Sequence, residues 1–171
     1  MRVQKMTPHF FLALIVATYL ATAPISAQDC WMTYTNPRFG TTADYPADLM
    51  PLRDPSPENG DGQGFRSRDD RAHLLIYGTH NAMSDTPKSY LETLVDQQGI
   101  TYKHSTTNFF VASGIRNGSI FYQRCNFTQG GNGIIDCIHL TYPAENKSTW
   151  DPIVTRISRS LRFVKGIEQR N

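Results

Sequence analysis

SIFYQRCNFTQGGNGIIDCIHLTY, residues 119–142, is the stretch that decides the fold. Two runs rich in β-branched and aromatic residues, Ser119 to Phe127 and Ile134 to Tyr142, flank Gln129-Gly130-Gly131-Asn132-Gly133. Strand formers on either side of a glycine-rich turn predict a β-hairpin. Cys125 and Cys137 are placed symmetrically about Gly131, so a regular hairpin sets them opposite each other, within bridging distance. In an oxidising compartment a disulfide between them is expected, worth roughly 2–3 kcal/mol for so short a loop. The alternative is a pair of small buried thiols. Cys30 is left over, as a free thiol, an intermolecular bridge or a rival partner for one of the pair.

Working outward, Phe109 to Ile115 and Thr101 to Ser105 continue an antiparallel meander through Asn117-Gly118 and Thr106-Thr107-Asn108. Asn-Gly is a strong hairpin signal because both residues accept positive φ. Upstream, Thr86-Pro87 has the form of a helix N-cap and first turn, with Tyr90, Leu91, Leu94 and Val95 at helical spacing before Gly99. Ala72 to Thr79 holds the continuous apolar run Leu74–Tyr77, expected as a central strand covered on both faces, paired with Phe65 to Arg68 around Asp69-Asp70-Arg71. Trp31 to Thr35 and Thr41 to Tyr45 read as strands about the turn Asn36-Pro37-Arg38-Phe39-Gly40. Between Ala47 and Gly64, three prolines and three glycines predict a long loop without regular structure. At the other end, Trp150, Ile153, Val154, Ile157 and Leu161 share one helical face, with Pro152 expected in the first turn and Arg156, Arg159 and Arg162 as an exposed stripe.

Arg2 and Lys5, the apolar run Phe10 to Leu20 and small residues through Ala27 follow the order of a secretory signal peptide. The run is shorter than the roughly 20 residues that span a bilayer. Cleavage after Ala27 makes Gln28 the new N-terminus, and Asp29 before Cys30 argues against a lipid anchor. Residues 28–165 are then expected to form a single α+β domain, with 166–171 a disordered tail. Losing Arg2 and Lys5 lowers the 17 Lys and Arg to 15, equal to the 15 Asp and Glu. A neutral processed chain has no electrostatic footprint for nucleic acid. No integral membrane segment is expected after processing, and the chain is expected to be a monomer.

Several segments share a layout: Tyr34-Thr35-Asn36-Pro37-Arg38-Phe39-Gly40, Asp44-Tyr45-Pro46, Asn59-Gly60-Asp61-Gly62 leading to Phe65, Arg124-Cys125-Asn126, Tyr142-Pro143 and the Ile157–Leu161 helix running into Arg162-Phe163. Together they resemble small exported bacterial proteins of unknown function, similar in layout to the PsbP and Mog1 superfamily. The resemblance implies a central antiparallel sheet flanked by helices, an α/β/α sandwich. Its members include extrinsic photosystem II subunits, a Ran-binding factor, secretion chaperones and lipoproteins with an apolar pocket. Mostly binding roles are therefore implied, and no photosystem or Ran-contact residue is placed on this chain.

Candidate chemistry is sparse. His73 and His139 meet only if their strands are neighbours. Asn59, Asp61 and Asp69-Asp70 lack the spacing and closing glutamate of a calcium loop. Ser67, Ser84, Ser89 and Ser113 lie in no nucleophile elbow. Thr79-His80-Asn81, at a strand end, is the nearest approach to an active-site loop. The sequons at Asn117, Asn126 and Asn146 matter only in a eukaryotic secretory pathway. No cofactor or metal is expected. The first expectation is an exported, periplasmic or secreted, non-enzymatic domain that binds a protein or a small apolar ligand between sheet and helix or beside the 47–64 loop. The alternatives are a small hydrolase with His80 as base, and an envelope-stress or host-facing inhibitor.

Overall fold

A computed structural model describes residues 30–94, 99–128 and 133–165. The expected signal peptide, its Ala27/Gln28 cleavage site, Val95, most of the 129–133 turn and the 166–171 tail lie outside them. The elements run β1 (Trp31–Thr35), β2 (Thr41–Pro46), β3 (Leu52–Arg53), β4 (Gly62–Arg66), β5 (His73–His80), α1 (Pro87–Thr93), β6 (Ile100–Ser105), β7 (Phe109–Arg116), β8 (Ser119–Phe127), β9 (Ile134–Pro143), α2 (Lys147–Ser160) and β10 (Arg162–Phe163). A 3-10 turn, Ala144–Asn146, leads into α2.

The β8–β9 hairpin forms with Cys125 opposite Cys137. It sits inside an antiparallel seven-stranded sheet of order β3-β4-β5-β9-β8-β7-β6. Because side chains alternate across a strand, β9 feeds two cores. Ile135 and Cys137 join Phe110, Ala112, Cys125 and Leu91 of α1 on one face. On the other, Ile138, Leu140 and Tyr142 pack with Leu74, Ile76 and with Trp150, Val154 and Ile157 of α2. The α+β architecture with helices on opposite faces is thus present. It is completed by a second sheet of order β1-β2-β10, whose Ala43 and Tyr45 enter the α2-side core.

Four expectations are corrected. Leu75 is 40% exposed, so β5 is not covered on both faces along its length; α1 packs chiefly on β6, β7 and β8, and of β5 only Tyr77 is placed against its cluster. The 47–64 segment holds β3 and the start of β4. Its glycines serve close approach as well as turning: a Cβ on Gly64 would lie 2.1 Å from an Asp54 carboxylate oxygen, and one on Gly62 would lie 2.5 Å from the Ile76 carbonyl. The prolines on either side confine β3 to two residues at the sheet edge. In α2, Pro152 lies inside the helix rather than in its first turn, because the helix starts earlier, at Lys147. Arg162 belongs to β10, so the arginine stripe ends at Arg159.

Thr86 and Ser89 form a reciprocal capping box at the start of α1, with Pro87 in the first turn. Side chains lash α2 to both sheets: Ser160 Oγ accepts from the Asp44 amide at 2.8 Å, Tyr122 Oη and Ser158 Oγ bond at 2.8 Å, and Asn126 Nδ2 donates to the Leu161 carbonyl at 2.9 Å. Where the two sheets meet, Thr41 Oγ1 donates to Asp136 Oδ1 at 2.5 Å, and both residues are buried.

Burial raises the Asp136 carboxyl above its ordinary range, against the opposing Thr41 hydrogen bond. The folded state therefore holds this proton more tightly than the unfolded chain. Its stabilising effect is complete below the unfolded carboxylate pKa and is lost as pH rises through the folded value. Asp136→Asn keeps an acceptor for Thr41 and removes that loss. Urea denaturation at several pH values is expected to show the variant more stable than wild type at neutral pH, the difference vanishing in acid. A variant destabilised equally at both would contradict this.

Candidate functional site

At the end of the sheet where β5 and the β8–β9 hairpin stop, the chain builds a cleft of about 660 Å³, within the roughly 300–1,000 Å³ typical of small-molecule sites. One wall is the 81–88 segment. Asn81 holds it: its Nδ2 donates to the Asp85 carbonyl and its Oδ1 accepts from the Asp85 amide, both at 2.8 Å. The Asn81 amide donates to the Gly133 carbonyl at 2.9 Å, tying this loop to the hairpin. The facing wall is the β6–β7 turn. There the Thr106 hydroxyl accepts from the amides of Asn108 and Phe109 at 3.2 Å each. Phe127, Ile134 and Pro87 supply the apolar lining. The Phe127 ring is fixed by an edge contact with Tyr90, centroids 5.9 Å apart, and a tilted one with Phe110 at 6.2 Å.

The hydroxyls of the lining fall into two groups. Thr86 accepts from the Ser89 amide, Thr106 closes its turn, and Thr128 Oγ1 donates to the Ile134 carbonyl at 2.8 Å. Ser84, Ser105 and Thr107 have no hydroxyl bond to a described residue, and Ser84 and Thr107 are exposed. Among the described residues the lining carries one anion and one cation, Asp85 and Lys88. Asp85 already accepts from Ser89 Oγ at 2.8 Å, and Lys88 lies 4.0 Å from Glu92.

No protein-family model matches the chain, and no curated protein matches it by sequence. Among solved structures, the solution structure of cyanobacterial PsbP (CyanoP) from Synechocystis sp. PCC 6803 is similar, with a TM-score of 0.57 over 85% of this chain and 99% of that one. The fold is PsbP-like. At 10% identity the likeness is one of architecture and carries no site residues.

On this PsbP-like framework the residues singled out in the sequence are dispersed. His80 is exposed, its ring edge-on to Phe39 at 5.0 Å, and it is absent from the cleft lining. Of the Thr79–Asn81 loop only Asn81 reaches the cleft, as a structural clamp. Ser67 donates to Asp69 Oδ1 at 2.5 Å, Ser113 to the Phe121 carbonyl at 2.8 Å, and Ser89 is used in the cap. His73 and His139 do lie on adjacent strands, His73 paired with Thr141 and His139 with Leu75. His73 Nε2 bonds the Asp70 carbonyl at 2.9 Å. Burial, aided by Arg116, pushes His139 below its usual pKa and keeps it neutral. Among the described residues no group of three or more His, Cys, Asp or Glu is placed to hold a metal.

The shared-layout segments do converge, as structure. Buried Asn36 accepts from the Arg38 and Phe39 amides at 2.9 and 2.7 Å and donates to the Gly60 carbonyl at 2.8 Å, while Arg38 bonds the Asn59 carbonyl and pairs with Asp61 at 3.0 Å. Asp69 is held below the usual carboxylate range by Ser67, and Asp70 by Arg66, so these acids serve turns. Arg156 stacks over Trp31 at 4.0 Å. Cys125 and Cys137 form a disulfide with both residues fully buried, and Cys30 is exposed and unpaired. Asn126 spends its amide on the Leu161 carbonyl, and Asn117 sits in a tight turn with φ of 49°. The cleft had no motif to announce it: its lining comes from separate loops whose serines and threonines have no telling spacing.

Proposed function

We propose that this chain is an exported, non-catalytic binding protein whose ligand occupies the cleft between the 81–88 segment and the end of the sheet. The observation that carries this is the cleft itself: about 660 Å³, with an aromatic floor and hydroxyls left without partners among the described residues. Met83, 82% exposed on the same loop, gives that end of the molecule further apolar contact surface. Export is supported by the signal-type N-terminus and by a buried cross-strand disulfide, which belongs in an oxidising compartment. Among the described residues, none of the helices is long and apolar enough to cross a membrane. The hydrolase alternative is disfavoured because His80 lies outside the cleft, with no hydroxyl or carboxylate partner among the described residues.

A ligand screen by thermal shift tests this, using the processed protein and Thr107→Trp, which fills the cleft from an exposed position. Compounds that raise the wild-type Tm are expected to leave the variant unmoved. Equal shifts in both proteins, or a hydrolytic activity abolished by His80→Ala, would contradict it.

A further inference from the structure

We infer that the ligand of this cleft is a neutral saccharide, its ring lying on Phe127 and its hydroxyls bonded to Ser84, Ser105 and Thr107; the inference rests on the cleft being the binding site. Four features of the site point to this chemistry. First, among the described residues the lining carries one carboxylate and one ammonium, Asp85 and Lys88, so its formal charge is balanced. An ionic ligand would find no surplus charge to neutralise its own.

Second, an aliphatic ligand would strip water from three hydroxyls without replacing their hydrogen bonds, a loss for each one left unsatisfied. A saccharide hydroxyl both donates and accepts, as do those of serine and threonine, so either partner can orient to suit the other.

Third, an extended peptide held by strand pairing needs a row of unused backbone groups. Here four backbone amides around the cleft are already spent within the chain, Thr106 on Phe109, Phe127 on Asn108, Thr128 on Ile134 and Asn81 on Gly133, and of the described lining residues only Ser105 lies on the sheet-edge strand β6. One edge residue gives no row for strand pairing, whereas three side-chain hydroxyls stand without a partner among the described residues, which fits a ligand that presents hydroxyls.

Fourth, Phe127 is half-buried and held by Tyr90 and Phe110. An aromatic ring has a negative face that attracts positively polarised groups, and one face of a pyranose presents C–H groups of that kind. A rigid ring flanked by free hydroxyls on two walls therefore matches a ligand with an apolar face and a polar rim.

The test is a 1H–15N titration of the processed protein with cellotriose, triacetylchitotriose and maltotriose, each to on the order of 10 mM, a range that detects millimolar affinity. At least one is expected to give saturable shifts confined to the amides around Ser84, Thr107 and Thr128. Phe127→Leu, which keeps apolar bulk while removing the ring, is expected to weaken binding about tenfold, and Thr107→Val about three- to tenfold. Dodecanoate and trilysine serve as aliphatic and charged probes. If no sugar binds, or if Phe127→Leu and Thr107→Val bind it as wild type does, the saccharide assignment is overturned. Dodecanoate or trilysine shifting the same amides while no sugar does would overturn that assignment and leave the cleft as a binding site. Silence from all five probes at these amides would count against both.

Discussion

Replacing Phe65 by alanine is expected to lower the stability of the protein by about 3–5 kcal/mol, with a fall in Tm on the order of 10–20 °C. Phe65 is fully buried on β4. Its ring stacks on Tyr45 of β2, centroids 4.0 Å apart, and meets Tyr34 of β1 edge-on at 5.8 Å. The guanidinium of Arg53 lies 5.3 Å from the ring centroid. This one side chain from the seven-stranded sheet is therefore the plug against which the three-stranded sheet closes. Truncation opens a cavity at the seam between the sheets as well as losing the ring's burial. Phe65→Leu is expected to recover much of the loss, because it refills volume without the stacking. Denaturant titration of both variants checks this, and an alanine variant within about 1 kcal/mol of wild type would show that the seam is held elsewhere.

Removing the Cys125–Cys137 bridge is the second large effect. Both cysteines are fully buried beneath α1, in contact with the cluster of Leu91, Phe110 and Ile135. Their separation of 12 residues closes a short loop, and losing a native disulfide from a domain of this kind costs roughly 2–5 kcal/mol. Cys125→Ala/Cys137→Ala is expected to fall in that range. In wild type, burial shields the sulfurs, so a reductant is expected to open the bridge at an appreciable rate only when denaturant or heat exposes it. Alkylation and mass mapping of the exported protein check the pairing: Cys30 is expected to be labelled while Cys125 and Cys137 stay protected. Labelling of all three in the native protein would contradict it.

Much of the framework was legible because it is local. The Cys125–Cys137 register followed from counting outward from Gly131, the first turn of α1 from Thr86-Pro87, and the buried face of α2 from Trp150, Val154 and Ile157. What escaped the sequence depends on partners far along the chain. Arg162 and Phe163 become a strand only because β2, about 120 residues earlier, offers them Thr42 and Thr41. Gly62 and Gly64 look like loop formers, yet they lie in a strand, where Gly62 passes too close to the β5 backbone to accept a side chain and Gly64 sits against the Asp54 carboxylate. The apolar run at Leu74–Tyr77 suggested cover on both sides, and a helix of only seven residues is too short to supply it over Leu75. The cleft was invisible for the same reason: Ser84, Thr107 and Phe127 are unremarkable until the fold sets three loops side by side.

We propose that this cleft is where the protein binds its ligand. A crystal structure of the processed protein soaked in a mixture of small uncharged fragments tests it most directly. Fragment density is expected between Ser84, Thr107 and the Phe127 ring. Density clustered instead at the Arg156–Arg159 face, beside the 47–64 segment, or at no shared position would contradict it.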